Sequence, residues 1–144
     1  MPTVRKSAIV PHSCATMFAL VDRVEAYPEF LPWCSRVDLL ERTPEVTSAR
    51  LHVDYHGLAT RLATRNVKRP FESMQLELVE GPFDSFGGTW SFTALGETGC
   101  RAEFVLDYSI ASSALTALLG PVFGHIAATL VERFVARAEA EAGR

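Results

Sequence analysis

The chain has 144 residues, 48% hydrophobic and 22% charged, with a net charge of −3 and three cysteines. That size and composition support a single packed domain, residues 1–144, needing neither disulfide nor metal to hold a core. The acidic balance argues against a general nucleic-acid binder, DNA included, and the odd cysteine count without a CxxC pair argues against a disulfide framework.

In chain order, the first ten residues read as a short strand stopped by Pro11. Ser13 can cap a helix in which Met17, Phe18, Val21 and Val24 recur at helical spacing. Tyr27-Pro28 is expected to end it, because the residue before a proline is pushed out of the α region. The stretch "YPEFLPWCSR" then sets Tyr27, Phe30, Leu31 and Trp33 around two prolines. Pro28 can open one further helical turn and Pro32 close it, so these apolar side chains sit on a stiff connection.

From about residue 36 to 110 the period becomes two. "ARLHVDYH" turns Ala49, Leu51, Val53 and Tyr55 one way, and Arg50, His52, Asp54 and His56 the other. "CRAEFVLDY" does the same with Ala102, Phe104, Leu106 and Tyr108. "SMQLEL" and "TWSFTAL" supply further strands, the latter carrying Trp90 and Phe92. Short connections at His56-Gly57, Pro70, "GPFDSFGG" and "GETG" imply antiparallel hairpins with one apolar face. The last thirty residues return to helical spacing, with Leu115, Leu118, Leu119, Val122, Phe123, Ile126, Leu130, Phe134 and Ala138 in one stripe and Ser112 or Ser113 as cap. Gly120-Pro121 interrupts that stripe and implies one kinked helix or two helices. The fold expected is α+β: a curved antiparallel sheet of six to seven strands wrapped around a long C-terminal helix, with room for a cavity between them.

Catalytic and metal motifs do not assemble. His52 and His56 share a strand face about 13 Å apart, too far to bind one ion. Cys34 has no histidine near it in sequence to activate it. The expected catalytic set and metal set are therefore empty, and no cofactor is required. Charge is uneven: residues 1–69 carry ten Lys/Arg against seven Asp/Glu, and residues 70–144 carry four against ten. Arg61, Arg65, Lys68 and Arg69 form an acid-free run, read either as a solvated strand face or as a contact patch for RNA or an acidic partner. No secretory signal follows the cations of "MPTVRKSAIVPHS", and no run of 18 uninterrupted apolar residues marks a membrane span. The expected location is the cytoplasm, including its side of the inner membrane.

Three stretches carry a resemblance: "SAIVPHSCATMFALVDRVEAYPEFLPWC", "GPFDSFGGTWSFTALGETGCRAEFVLDYSI" and "LLGPVFGHIAATLVERFVARA". Together they resemble the coenzyme-Q-binding START-like family, which includes the bacterial ribosome-association toxin and lies in the polyketide cyclase/dehydrase and lipid-transport superfamily. The resemblance implies a helix-grip fold, a hydrophobic cavity and no catalytic residues. By position, Tyr27, Phe30, Leu31 and Trp33 match the family's aromatic segment, Trp90 and Phe92 its strand after the GPF turn, and Phe123 its last helix. Pro121 departs from the regular helix the family pattern leads one to expect.

Three functions follow, in order. The first is a non-enzymatic carrier or chaperone that binds ubiquinone or another polyprenyl lipid and supports respiratory electron transport, with transient membrane contact. Its binding set is Tyr27, Phe30, Leu31, Trp33, Tyr55, Trp90, Phe92, Phe104, Tyr108 and Phe123, with Tyr55, Tyr108, Thr60 and Arg61 as donors for a quinone head. The second is a toxin-like factor that binds the large ribosomal subunit and blocks subunit joining. The third is a cyclase or aromatase, implied only by the superfamily.

Overall fold

The computed structural model describes residues 3–142. Six segments of period two form six consecutive antiparallel strands: β2 (Cys34–Arg42), β3 (Val46–Tyr55), β4 (Leu58–Arg69), β5 (Ser73–Glu80), β6 (Phe83–Leu95) and β7 (Gly99–Ile110). The first strand, β1 (Thr3–Val10), pairs with β7, giving a sheet order of β1-β7-β6-β5-β4-β3-β2. Two α-helices, α1 (Cys14–Asp22) and α2 (Ser113–Ala142), complete this seven-stranded helix-grip fold. The alternation sets the faces as expected. In β7, Cys100, Ala102, Phe104, Leu106, Tyr108 and Ile110 are buried, and the residues between them are not. The β3–β4 hairpin closes through His56 (φ 51°) and Gly57 (φ 82°), a turn whose twist matches that of its strands.

Where α1 stops was not legible in the sequence. The Ser13 hydroxyl accepts the Thr16 N–H at 3.1 Å, as a cap should. The helix then ends at Asp22 rather than at Tyr27-Pro28, and Val24–Glu29 form a separate 3-10 helix with Pro28 inside it. Three residues per turn place Val24 and Tyr27 one above the other, and both are buried. The expected turn 81–88 is also shorter: β6 already begins at Phe83, so Phe83 and Phe86 lie on a strand.

α2 is one continuous helix of 30 residues, about 45 Å long, capped by Ser112, whose hydroxyl accepts the Leu115 N–H. Pro121 removes the donor that the Ala117 carbonyl would use. Both residues are exposed, so water can take its place and the helix continues. By length and composition α2 could also cross a bilayer, with a mean hydropathy of 1.7 over its most apolar window. Here its stripe of Leu119, Val122, Phe123, Ala127, Val131, Phe134 and Ala138 is buried instead.

A polar clamp fixes α1 to the sheet. Asp22, the last residue of α1, accepts a hydrogen bond from the Thr47 hydroxyl at 2.6 Å and pairs with Lys68 Nζ at 3.2 Å. The Lys68 side chain is only 4% exposed, so the carboxylate balances a buried cation. Beside it, Arg42 pairs with Glu25 and donates to the Asp22 carbonyl. The Arg42 hydrogen bond holds the Glu25 carboxyl at about 2, below its ordinary 4.5.

Asp22→Ala should cost about 3–5 kcal/mol in urea unfolding by stranding the Lys68 ammonium, and Asp22→Ala with Lys68→Met should recover most of that loss. For Glu25, a lowered folded pKa means stability that is fully present above about pH 4.5 and lost as pH falls towards 2. Glu25→Gln should therefore lower Tm slightly at neutral pH, with the gap to wild type closing across that acid window. The pair is partly exposed, so the gap should be worth no more than about 1 kcal/mol.

Candidate functional site

The grip of sheet on helix leaves an interior hollow of about 90 Å³. Its walls are Tyr27 and Trp33 from the segment after α1, Leu51 and Leu62 from β3 and β4, and Leu76, Phe86, Trp90, Phe104 and Leu106 from β5 to β7. Phe123, Ile126, Ala127, Leu130 and Phe134 of α2 close it. Ligand pockets usually measure about 300–1,000 Å³, and an engineered cavity that admits benzene measures about 150 Å³. As it stands, the hollow is smaller than either.

Of the ten apolar residues singled out from the sequence, Tyr27, Trp33, Trp90, Phe104 and Phe123 line this hollow. The other five pack elsewhere. Phe30 lies edge-on to Tyr27 and Phe134, beneath the Arg137 guanidinium. Leu31 is wholly buried, Phe92 packs on Phe18 and Trp90, and Tyr108 packs on Phe83. Tyr55 sits against His56 and His125 at a separate outer hollow of about 220 Å³. Leu51, Leu62, Leu76, Ala127 and Leu130 also line it without any sequence signal that marks them as site residues, because an apolar periodicity marks the inner face without saying where packing falls short.

The segment 27–33 is tied down. Arg137 pairs with Glu29 at 2.8 Å and with Glu141 at 2.6 Å while lying 5.1 Å above the Phe30 ring. The Tyr27 hydroxyl donates to the Val21 carbonyl, and burial, then the charge of Asp22, pushes its pKa up. Trp33 differs: among the described residues its indole Nε1 is buried with no hydrogen-bond partner. The side chain lines both the interior hollow and the outer one at Tyr55 and His125. None of Tyr55, Thr60, Arg61 and Tyr108, the donors considered for a quinone head, lines the interior hollow.

Reactive groups do not converge here. Burial pushes the Cys34 thiol up to about 11, and its sulfur lies 3.8 Å from the Arg36 carbonyl, consistent with a small apolar residue. Among the described residues no group of three or more His, Cys, Asp and Glu could hold a metal ion.

The basic run 61–69 divides between the two faces of β4. Arg61, Arg65 and Arg69 are exposed, whereas Lys68 is buried in the clamp with Asp22, so Lys68 does not belong to the expected surface patch. The strand pleat sends alternate residues to opposite sides, which sequence adjacency conceals. On the exposed face the arginines sit among acids: Arg65 pairs with Glu77 at 3.4 Å, Arg61 with Glu80 at 3.8 Å, and Arg50 bridges Glu80 and Asp38. His52 and Arg36 both contact Asp38, and the His52 hydrogen bond is the main cause of its lowered pKa.

The family model for polyketide cyclase / dehydrase and lipid transport matches residues 10–135. Ribosome association toxin RatA of Pseudomonas aeruginosa is 40% identical over 136 residues, which is 94% of either chain. Coenzyme Q-binding protein COQ10 homolog B, mitochondrial, of Xenopus laevis is 25% identical over 96% of this chain and 57% of its own. The Zhui aromatase/cyclase of Streptomyces sp. R1128 superposes with a TM-score of 0.82 at 18% identity, covering 96% of this chain and 93% of that one; this shows a shared fold alone. A helix-grip fold matched along nearly all of its length places the chain in the polyketide cyclase / dehydrase and lipid transport family.

Proposed function

We propose that this chain is a ribosome-association factor that binds the large ribosomal subunit and impedes subunit joining, without chemical turnover. The observation that carries this reading is the 40% identity, over 94% of both chains, to a protein named ribosome association toxin. One feature of the molecule favours it over ligand carriage. The interior hollow, at about 90 Å³, leaves little room for cargo. The outer face of β4 meanwhile offers Arg61, Arg65 and Arg69 at intervals of about 13 Å. Exposed ion pairs are worth about 0–1 kcal/mol, so an RNA phosphate can replace Glu77 or Glu80 at small cost.

A second reading, an apolar ligand with a carbonyl group such as a quinone, rests on Trp33. A buried N–H without an acceptor costs about 1–3 kcal/mol, and a ligand oxygen near it would recover that. Such a ligand requires the hollow to widen several-fold.

Cosedimentation with purified large subunits should fall as salt rises, with log K dropping by about 2–3 per decade if three phosphates are met. Arg61→Gln, Arg65→Gln and Arg69→Gln together should weaken binding at least tenfold while leaving Tm nearly unchanged. Binding that ignores both salt and these arginines, or no binding at low salt, overturns the proposal. For the hollow, Ala127→Leu should leave ribosome binding intact and the fold within about 1–3 kcal/mol of wild type. Ubiquinone that copurifies stoichiometrically with wild type and disappears with Ala127→Leu would promote the second reading.

A further inference from the structure

Pro70, Phe71 and Glu72 connect β4 to β5. The Glu72 N–H donates to the Arg69 carbonyl at 2.9 Å and closes a four-residue turn, 69–72. The ring of Pro70 fixes its φ at about −65°, and Phe71 has a φ of 67°, the pattern of a type II turn. The third position of such a turn calls for glycine or asparagine, because a larger side chain crowds the backbone there. Here it holds a phenylalanine. Among the described residues only one other non-glycine, His56, has a positive φ, and histidine tolerates that region better than a bulky ring does.

Burial does not account for this choice. Phe71 is 56% exposed, with an edge-on contact to Phe18 at a centroid distance of 5.8 Å. A strained backbone thus carries an exposed apolar ring, the reverse of what stability alone would select. The turn is also held in place. Its Glu72 carbonyl accepts the Phe92 N–H of β6 at 2.8 Å, and Pro70 stiffens the chain just before the ring.

The ring stands at the end of a line of cations. Arg61, Arg65 and Arg69 follow one another on the outer face of β4, and Phe71 lies two residues beyond the last. Arg61 and Arg65 are paired with Glu80 and Glu77. Arg69 is exposed and, among the described residues, makes no ion pair. An aromatic face beside a free guanidinium is the combination that binds single-stranded nucleic acid, the ring taking a base and the cation its phosphate. A duplex keeps its bases stacked inside, so the complementary feature is a loop or bulge with a base turned outward.

We propose that Phe71 stacks on an unpaired RNA base while Arg69 holds the adjoining phosphate, a site that rests on the ribosome-binding reading above and names the RNA feature it engages. The strain at Phe71 is then the cost of aiming the ring away from the core.

The test measures wild type, Phe71→Gly and Phe71→Trp by cosedimentation with purified large subunits, and by fluorescence anisotropy with a short, unstructured, fluorescein-labelled oligoribonucleotide at low salt. Phe71→Gly should weaken both interactions about tenfold or more. Its dependence on salt should match that of wild type, because no charge is lost, whereas Arg69→Gln should lower the salt slope by about 1. The Tm of Phe71→Gly should stay level or rise, since glycine fits the turn. Phe71→Trp should bind at least as well as wild type. A clear fall in the Tm of Phe71→Gly alongside lost binding would make Phe71 a structural residue and overturn the proposal. Unchanged binding by Phe71→Gly would overturn it too, and leave the ribosome reading standing. Sedimentation that depends on Phe71 without any oligoribonucleotide binding would assign the ring to a ribosomal protein, which also overturns it. Phe71-dependent oligoribonucleotide binding without sedimentation would support the stacking site and sink the ribosome reading alone. A wild-type chain that binds neither overturns both.

Discussion

The structure depends on the place where Phe134 meets three other rings. Its ring lies edge-on to Trp90 of the sheet, and to Tyr27 and Phe30 of the segment after α1, at centroid distances of 5.2–5.4 Å. Helix, sheet and connecting segment are thus joined through one fully buried side chain. Helical propensity alone gives α2 little independent stability, because most of the stability of a protein helix comes from packing its apolar face. The sheet in turn has an apolar inner face that α2, with α1, covers. Each element therefore requires the other, and Phe134 marks the centre of that mutual burial.

Around this apolar centre, the polar contacts hold the periphery in register with it. Asp22 and Lys68 fasten the end of α1 to β4, and Arg137 holds Glu29 and Phe30 to α2. With the segment 27–33 fixed from both sides, its aromatic residues pack inward and the hollow beneath them stays small. A curved sheet closed on a long helix leaves a residual 90 Å³ between them.

The same architecture serves different ends, as the names of the similar proteins indicate: a ribosome association toxin, a coenzyme Q-binding protein and an aromatase/cyclase. Fold therefore does not decide among them. What this chain offers is local: a tight interior, an unpartnered indole N–H at its wall, and an outer face on which arginines and carboxylates interleave.

Much of the fold was written in periodicity. Alternation in β3 and β7, the helical stripe of α2 and the Ser13 cap are each decided by neighbouring residues, and the structure follows them. The end of α1 was not, because the break at Arg23 reflects the gain from burying both Val24 and Tyr27 rather than any local signal. The site was less legible still. Sequence alone determined which residues face inward; whether an inward ring lines a hollow or fills the core depends on how sheet and helix dock, which separates Trp33 from Leu31 two positions away. Likewise, only the tertiary structure buried Lys68 against Asp22, because that pair is made by strand register and helix placement acting across dozens of residues.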